Sequence, residues 1–168
     1  MFKKLAFLLL LLPGLHAVAQ KVEVKNNVIL LDGQPYAGIE GDGCGFVDPQ
    51  CQYYLTPVGS EKRLFVVKQV IFEDPMERKE SNPTGRTLYL QFVFTAAGTT
   101  DEIPFPATLR LRALDVARKV AKARLFQNGV FDEQAAADFV TNNGTPFGDR
   151  RRALNAPPTI ILNAPGRY

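Results

Sequence analysis

Between Leu64 and Thr95 the chain carries its two clearest runs of apolar residues. In Thr87–Thr95, TLYLQFVFT, Leu88, Leu90, Phe92 and Phe94 alternate with Thr87, Tyr89, Gln91, Val93 and Thr95. That period of two marks a strand buried on one face. In Leu64–Glu73, LFVVKQVIFE, both parities are apolar, as expected of a central strand packed from two sides. The intervening Asp74–Arg86 holds Pro75, charges of both signs and Asn82-Pro83-Thr84-Gly85, the chemistry of an exposed hairpin loop.

Upstream, Val22 and Val24 alternate with polar neighbours, Asn26-Asn27 follows, and Val28–Leu31 leads into the hairpin turn Asp32-Gly33. Pro35 places the strand through Tyr36, Ile39 and Glu40 after it or at an edge. Tyr53–Pro57 reads as a further short strand. Ala96–Pro106, with Gly98 and two prolines, reads as a loop in which Phe105 closes the end of the core.

The period then changes. From about Leu109 to Gln127, capped by Thr108 and stopped by Asn128-Gly129, Leu109, Ala113, Leu114, Val116, Ala117, Val120, Ala121 and Ala123 share one arc of a helix. Arg112, Asp115, Arg118, Lys119 and Lys122 occupy the other arc. A shorter helix is expected after the cap Asp132, with Ala135, Ala136, Phe139 and Val140 inward and Asn142-Asn143-Gly144 at its end. The expected fold is α+β: an antiparallel β-sheet meander with one long amphipathic helix and a short second helix packed on one face. Phe92, Val116 and Val120 should be buried and Lys119 exposed. The final stretch, with Arg150-Arg151-Arg152 and Pro157-Pro158, reads as extended, Thr159–Leu162 pairing onto a sheet edge.

The first 19 residues add a location. Lys3 and Lys4, the apolar Leu5–Leu12 and Ala17-Val18-Ala19 have the order of a secretory signal, which predicts cleavage before Gln20 and a periplasmic or extracellular protein. The apolar stretch is too short to span a bilayer, and no lipid-anchoring cysteine follows it. The expected organisation is a signal peptide over 1–19, one α+β domain over 20–148 and an extended tail over 149–168. Loss of the signal takes 19 of 168 residues and leaves 149, ample for one hydrophobic core.

Composition narrows the chemistry. His16, within the signal, is the one histidine, so the exported chain has no imidazole for a triad, a general base near neutral pH or a His-ligated metal. With 18 basic and 17 acidic side chains after cleavage, the balance is no nucleic-acid signature. The charge is unevenly spread. Gln20–Phe105 has 8 basic and 12 acidic residues, whereas Pro106–Tyr168 has 10 and 5. Tryptophan is absent, which removes the commonest sugar-stacking platform.

Cys44 and Cys51, seven positions apart in an exported chain, are expected to form a disulfide. A cation site from Asp42 and Asp48 is the rival reading, but their spacing misses the calcium-loop pattern. A redox pair would need closer cysteines and a following helix.

Several stretches resemble segments found together in small exported proteins of Bacteroidota-type bacteria: AVAQ-KVEV at the start, VILLDGQPYAGIE, FEDP with SNPTGR-TLYLQFVF, and NGVFDEQAAADFVTNNG. The resemblance implies the fold and export, and no activity, cofactor or site residue.

Three functional classes follow. The first is a non-catalytic exported domain with a binding or accessory role toward an envelope component, needing no cofactor and binding no nucleic acid. It rests on the missing imidazole and on Ser60 and Ser81 lying in turns without a base. The second is a carboxylate-only hydrolase of glycans using Glu40, Asp42 and Asp48, with Asp101 and Glu102 further off. The third is a binder of anionic lipid or polysaccharide through Arg112, Arg118, Lys119 and Lys122, joined by Arg150–Arg152.

Overall fold

The computed structural model describes residues 20–44, 51–106 and 110–156. The expected signal segment, Asp48, Thr108 and Thr159–Leu162 lie outside them. Seven strands run in chain order as one antiparallel meander: β1 (Val22–Lys25), β2 (Val28–Leu31), β3 (Gln34–Asp42), β4 (Gln52–Thr56), β5 (Phe65–Glu73), β6 (Arg86–Phe94) and β7 (Thr99–Pro104). Two-residue turns close the first hairpins. Asn26 and Asn27 have φ of 48° and 61°, and Asp32 and Gly33 of 50° and 83°, the left-handed pair that the twist of adjoining strands demands. β5 is central and buried on both faces over Phe65–Val67, as its double apolar parity requires.

β7 was expected to be loop. Pro104 falls at its last position and Gly98 just before its first, so neither residue breaks a ladder bond; the strand pairs Phe92 with Asp101 and Leu90 with Ile103.

The helical part differs more. Instead of one long and one short helix there are three of similar length: α1 (Ala113–Lys122), α2 (Glu133–Asn143) and α3 (Pro146–Asn155). At the start of α1 the Asp115 carboxylate accepts the Arg112 backbone N–H at 3.2 Å, setting the first turn there, while Leu111 lies outside the helix and buried. At its end Arg124 adopts φ 54°. Its amide donates to Ala121 O at 3.0 Å, and that of Leu125 donates to Val120 O at 3.3 Å. This is a Schellman closure over the buried Leu125 and Val120, made by an arginine where the sequence offers no glycine. Asn128-Gly129 therefore turns a small hairpin between β8 (Phe126–Gln127) and β9 (Val130–Phe131) rather than stopping the helix.

One core joins the inner sheet face to α1 and α2. Phe65, Val67, Leu90, Phe92, Val116 and Val120 are all fully buried in it. Phe92 meets Phe139 of α2 edge-on, with ring centroids 5.1 Å apart, whereas α1 approaches β1 and β3. A register shift between Ile29 and Leu30 turns Tyr36 inward. Its hydroxyl donates to Val120 O at 3.4 Å and accepts from the Phe126 amide at 3.0 Å, tying the end of α1 to the sheet. Lys119, expected exposed, is half-buried.

α3 packs on the opposite sheet face, which corrects both the extended reading of residues 149–155 and the placing of all helices on one side. Phe147 stacks on Tyr89 at 5.0 Å, the Gly148 amide donates to Glu102 Oε2 at 2.7 Å, and Arg150 Nε lies 2.5 Å from Asp74 Oδ2. To reach that face the link from α2 passes over edge strand β7, where Gly144 O accepts the Glu102 amide at 2.9 Å and blunts the edge.

Candidate functional site: an apolar cleft beside α2

Where α2 meets the β6–β7 turn, the core stays open. Leu64, Phe94, Phe131 and Val140 line a cleft of about 550 Å³, completed by small residues, among them Ala136 and Ala137 of α2 and Ala96 and Ala97 of the turn. The alanines make the space, since larger side chains there would fill it. At the margin stand Lys62 and Glu133, one charge of each sign, with no salt-bridge partner among the described residues. The volume and mostly apolar lining suit a small ligand held by burial and oriented by a few polar groups.

The residues singled out from the sequence lie elsewhere. Glu40 pairs with Arg63 at 3.0 Å, and that guanidinium covers the Tyr54 ring at 3.9 Å; both line a shallower polar hollow with Glu61 and Ser60. Asp42 accepts from Gln52 at 3.0 Å. Cys44 and Cys51 form the expected disulfide, and the Cys44 carbonyl accepts from Arg110.

Asp101 and Glu102 are both buried, but successive strand residues point to opposite faces. Glu102 lies under α3, accepting from Gly148 and from Gln91 Nε2 at 3.3 Å. Asp101 lies beside Phe92 on the face that α2 covers, and neither of its carboxylate oxygens has a hydrogen-bond partner. Burial pushes its pKa from 3.8 up to about 7, and the Glu102 charge adds to the rise. The amides of Glu102 and Gly144 offset part of it, though they already donate to Gly144 O and Val140 O. Two acids on opposite faces of a sheet cannot flank one glycosidic bond.

No family model, curated protein or solved structure matches this chain, so the site is read from its own geometry. Of the cations proposed as a binding face, Arg112 is held by Asp115 through two bonds of 3.0 and 3.1 Å. That pairing raises the pKa of the arginine and lowers that of the carboxylate. Arg118 and Lys122 are exposed on α1, with Lys119 between them half-buried. Arg150–Arg152 belong to α3 on the far face and do not join them. Arg150 is committed to Asp74 and Arg152 to Asp149.

Sequence reasoning missed the cleft because alanines at 96, 97, 136 and 137 read as ordinary turn and helix residues. The fate of Asp101 is hidden in the sequence because Gly98 and two prolines make its strand read as loop. The available signal was the alternation of Asp101 and Ile103 about Glu102, too short to count against Gly98 and two prolines.

Proposed function

We propose that this protein is an exported, non-catalytic binding domain of the cell envelope, which holds the apolar chain of a zwitterionic amphiphile in the cleft beside α2. The observation that carries the reading is the cleft: an open volume of about 550 Å³, lined mostly by apolar side chains and continuous with the core residues Phe94 and Ala136. Lys62 and Glu133 at its margin supply the opposite charges that a zwitterionic head would meet. The opposite facing of Asp101 and Glu102, and the commitment of Glu40 on β3 to Arg63, support a binding role over carboxylate hydrolysis. The disulfide, and the lack of any helix among the described residues long and apolar enough to cross a membrane, accord with export into an oxidising compartment.

Displacement of the uncharged fluorescent probe N-phenyl-1-naphthylamine by dodecylphosphocholine, kept below its micellar concentration, tests this reading. Ala137→Trp, a large side chain on the exposed side of α2, should fill the cleft and weaken both ligands about tenfold or more while the fold persists. Unchanged affinity in Ala137→Trp, or no binding by the parent protein, would overturn the proposal.

A second reading keeps the basic face of α1, because Arg118 and Lys122 are exposed without salt-bridge partners among the described residues. Binding to vesicles rich in anionic lipid should then weaken with salt and with Arg118→Glu/Lys122→Glu. Retention indifferent to both would dispose of it.

A further inference from the structure

Asp101 is a carboxylate with no exposed surface, no partner for either oxygen, and a position where one helix meets an edge strand. Buried polar groups are nearly always paired, so a carboxylate approached only by the Glu102 and Gly144 amides, both already committed to carbonyls, calls for an explanation. Its surroundings are specific. On β6 its neighbour is the ring of Phe92, which packs on Phe139 of α2. From α2 it meets the backbone at Gly144 and no charged side chain. Among the described residues Glu102, on its own strand, is the single charged group acting on it, and the sign is repulsive. Neither α1 nor α3 places a cation against it.

Glu102, one residue on, is the opposite case. Its carboxylate accepts the Gly148 N–H in the first turn of α3 at 2.7 Å. Two adjacent acids thus face the two helices that straddle β7, one hydrogen-bonded to its helix and one not. The helix above Asp101 is also a wall of the cleft, through Glu133, Ala136, Ala137, Val140 and Thr141.

We propose that Asp101 is a pH-sensitive latch on the cleft: protonated, it lets the C-terminal half of α2 close on β7, and ionised, it drives that half away and releases the cleft's occupant. The inference rests on the cleft being the binding site, as proposed above, and supplies its regulation. In the closed state the acid titrates near pH 7, whereas once α2 lifts and water reaches it the value returns toward 3.8. Between those values the closed state holds a proton that the open state has lost. Each unit of rising pH therefore favours opening about tenfold, and the effect levels off above about pH 7. Ligand binding and proton binding support each other, so the cleft loads in acid and empties as the medium becomes neutral.

Three measurements on the full chain decide it. The carboxyl carbon of Asp101, followed by NMR, should titrate near pH 7; titration near 4 would overturn the latch. Hydrogen-exchange protection, corrected for the intrinsic pH dependence of exchange, should fall about tenfold per pH unit between 4.5 and 7 for residues 137–143, with α1 little affected. In Asp101→Asn, of the same shape but without charge, and in Asp101→Leu, the fall should vanish; its persistence in either folded variant would overturn the proposal. N-phenyl-1-naphthylamine, whose charge does not change over this range, should bind more weakly at pH 8 than at pH 5 in the parent and equally at both in the variants. Protection that switches with Asp101 while the probe binds at neither pH would refute the cleft reading and support the latch.

Discussion

Gly148 offers a test of how α3 is held, because the cost of adding one methyl group there can be worked out from the contacts. A Cβ at this position would lie 2.6 Å from Glu102 Oε1 and 3.4 Å from the carboxyl carbon. The carboxylate would have to move by roughly half an ångström or more to reach ordinary contact distance, and burial leaves it little room. Moving it breaks the 2.7 Å bond from the Gly148 amide to Oε2. A hydrogen bond to a charged group contributes about 1.5–3 kcal/mol. Alanine returns about 1 kcal/mol through its better helix propensity. Gly148→Ala should therefore destabilise by about 0.5–2 kcal/mol and lower Tm by roughly 1–8 °C, although alanine for a helical glycine normally stabilises. The assay is thermal and urea denaturation of four proteins: the parent, Gly148→Ala, Glu102→Ala and the double variant. With Glu102 truncated the obstacle is gone, and Gly148→Ala should become neutral or favourable by up to about 1 kcal/mol. A rise in Tm for Gly148→Ala in the parent background, or the same cost in both backgrounds, would refute the placement of α3 against Glu102.

Other perturbations test the remaining contacts. Phe92→Ala should cost about 3–5 kcal/mol by urea denaturation, since its ring is fully buried against Phe65 and Phe139, whereas Arg118→Ala on the exposed arc of α1 should cost almost nothing. Equal losses would mean the inner face is wrongly assigned. A double-mutant cycle on Arg150→Ala and Asp74→Asn should return a coupling of about 1–2 kcal/mol, because Asp74 is buried but the arginine is nearly half exposed. Zero coupling would detach α3 from the β5–β6 loop. Replacing Cys44 and Cys51 together by alanine should cost about 2–3 kcal/mol, the loop-closure term for a sequence separation of 7, and reductant should then leave the Tm of that variant unchanged. A parent protein equally indifferent to reductant would argue against the bond.

Of the seven strands of the sheet, all but β7 were legible in the sequence, because their information is local. The parity of Leu88, Leu90, Phe92 and Phe94, the double parity of Leu64–Glu73 and the turn pairs at Asn26-Asn27 and Asp32-Gly33 each encode a face or a reversal within a few residues. The disulfide was legible for the same reason. Other features depended on partners distant in the chain. Arg124 ends α1 in a left-handed conformation because Leu125 and Val120 must both be buried, a demand that packing makes and an arginine does not advertise. Asp149–Asn155 is helical because Tyr89, Glu102 and Asp74 give Phe147, Gly148 and Arg150 something to hold, although its composition alone reads as tail. Asp101 and Glu102 look alike in sequence and become opposites in the fold. Strand alternation sends one beneath α2 without a donor and the other to the Gly148 amide of α3. The cleft was the least legible of all, since it is an absence of volume at Ala96, Ala97, Ala136 and Ala137, and a gap is defined only once the residues around it have met.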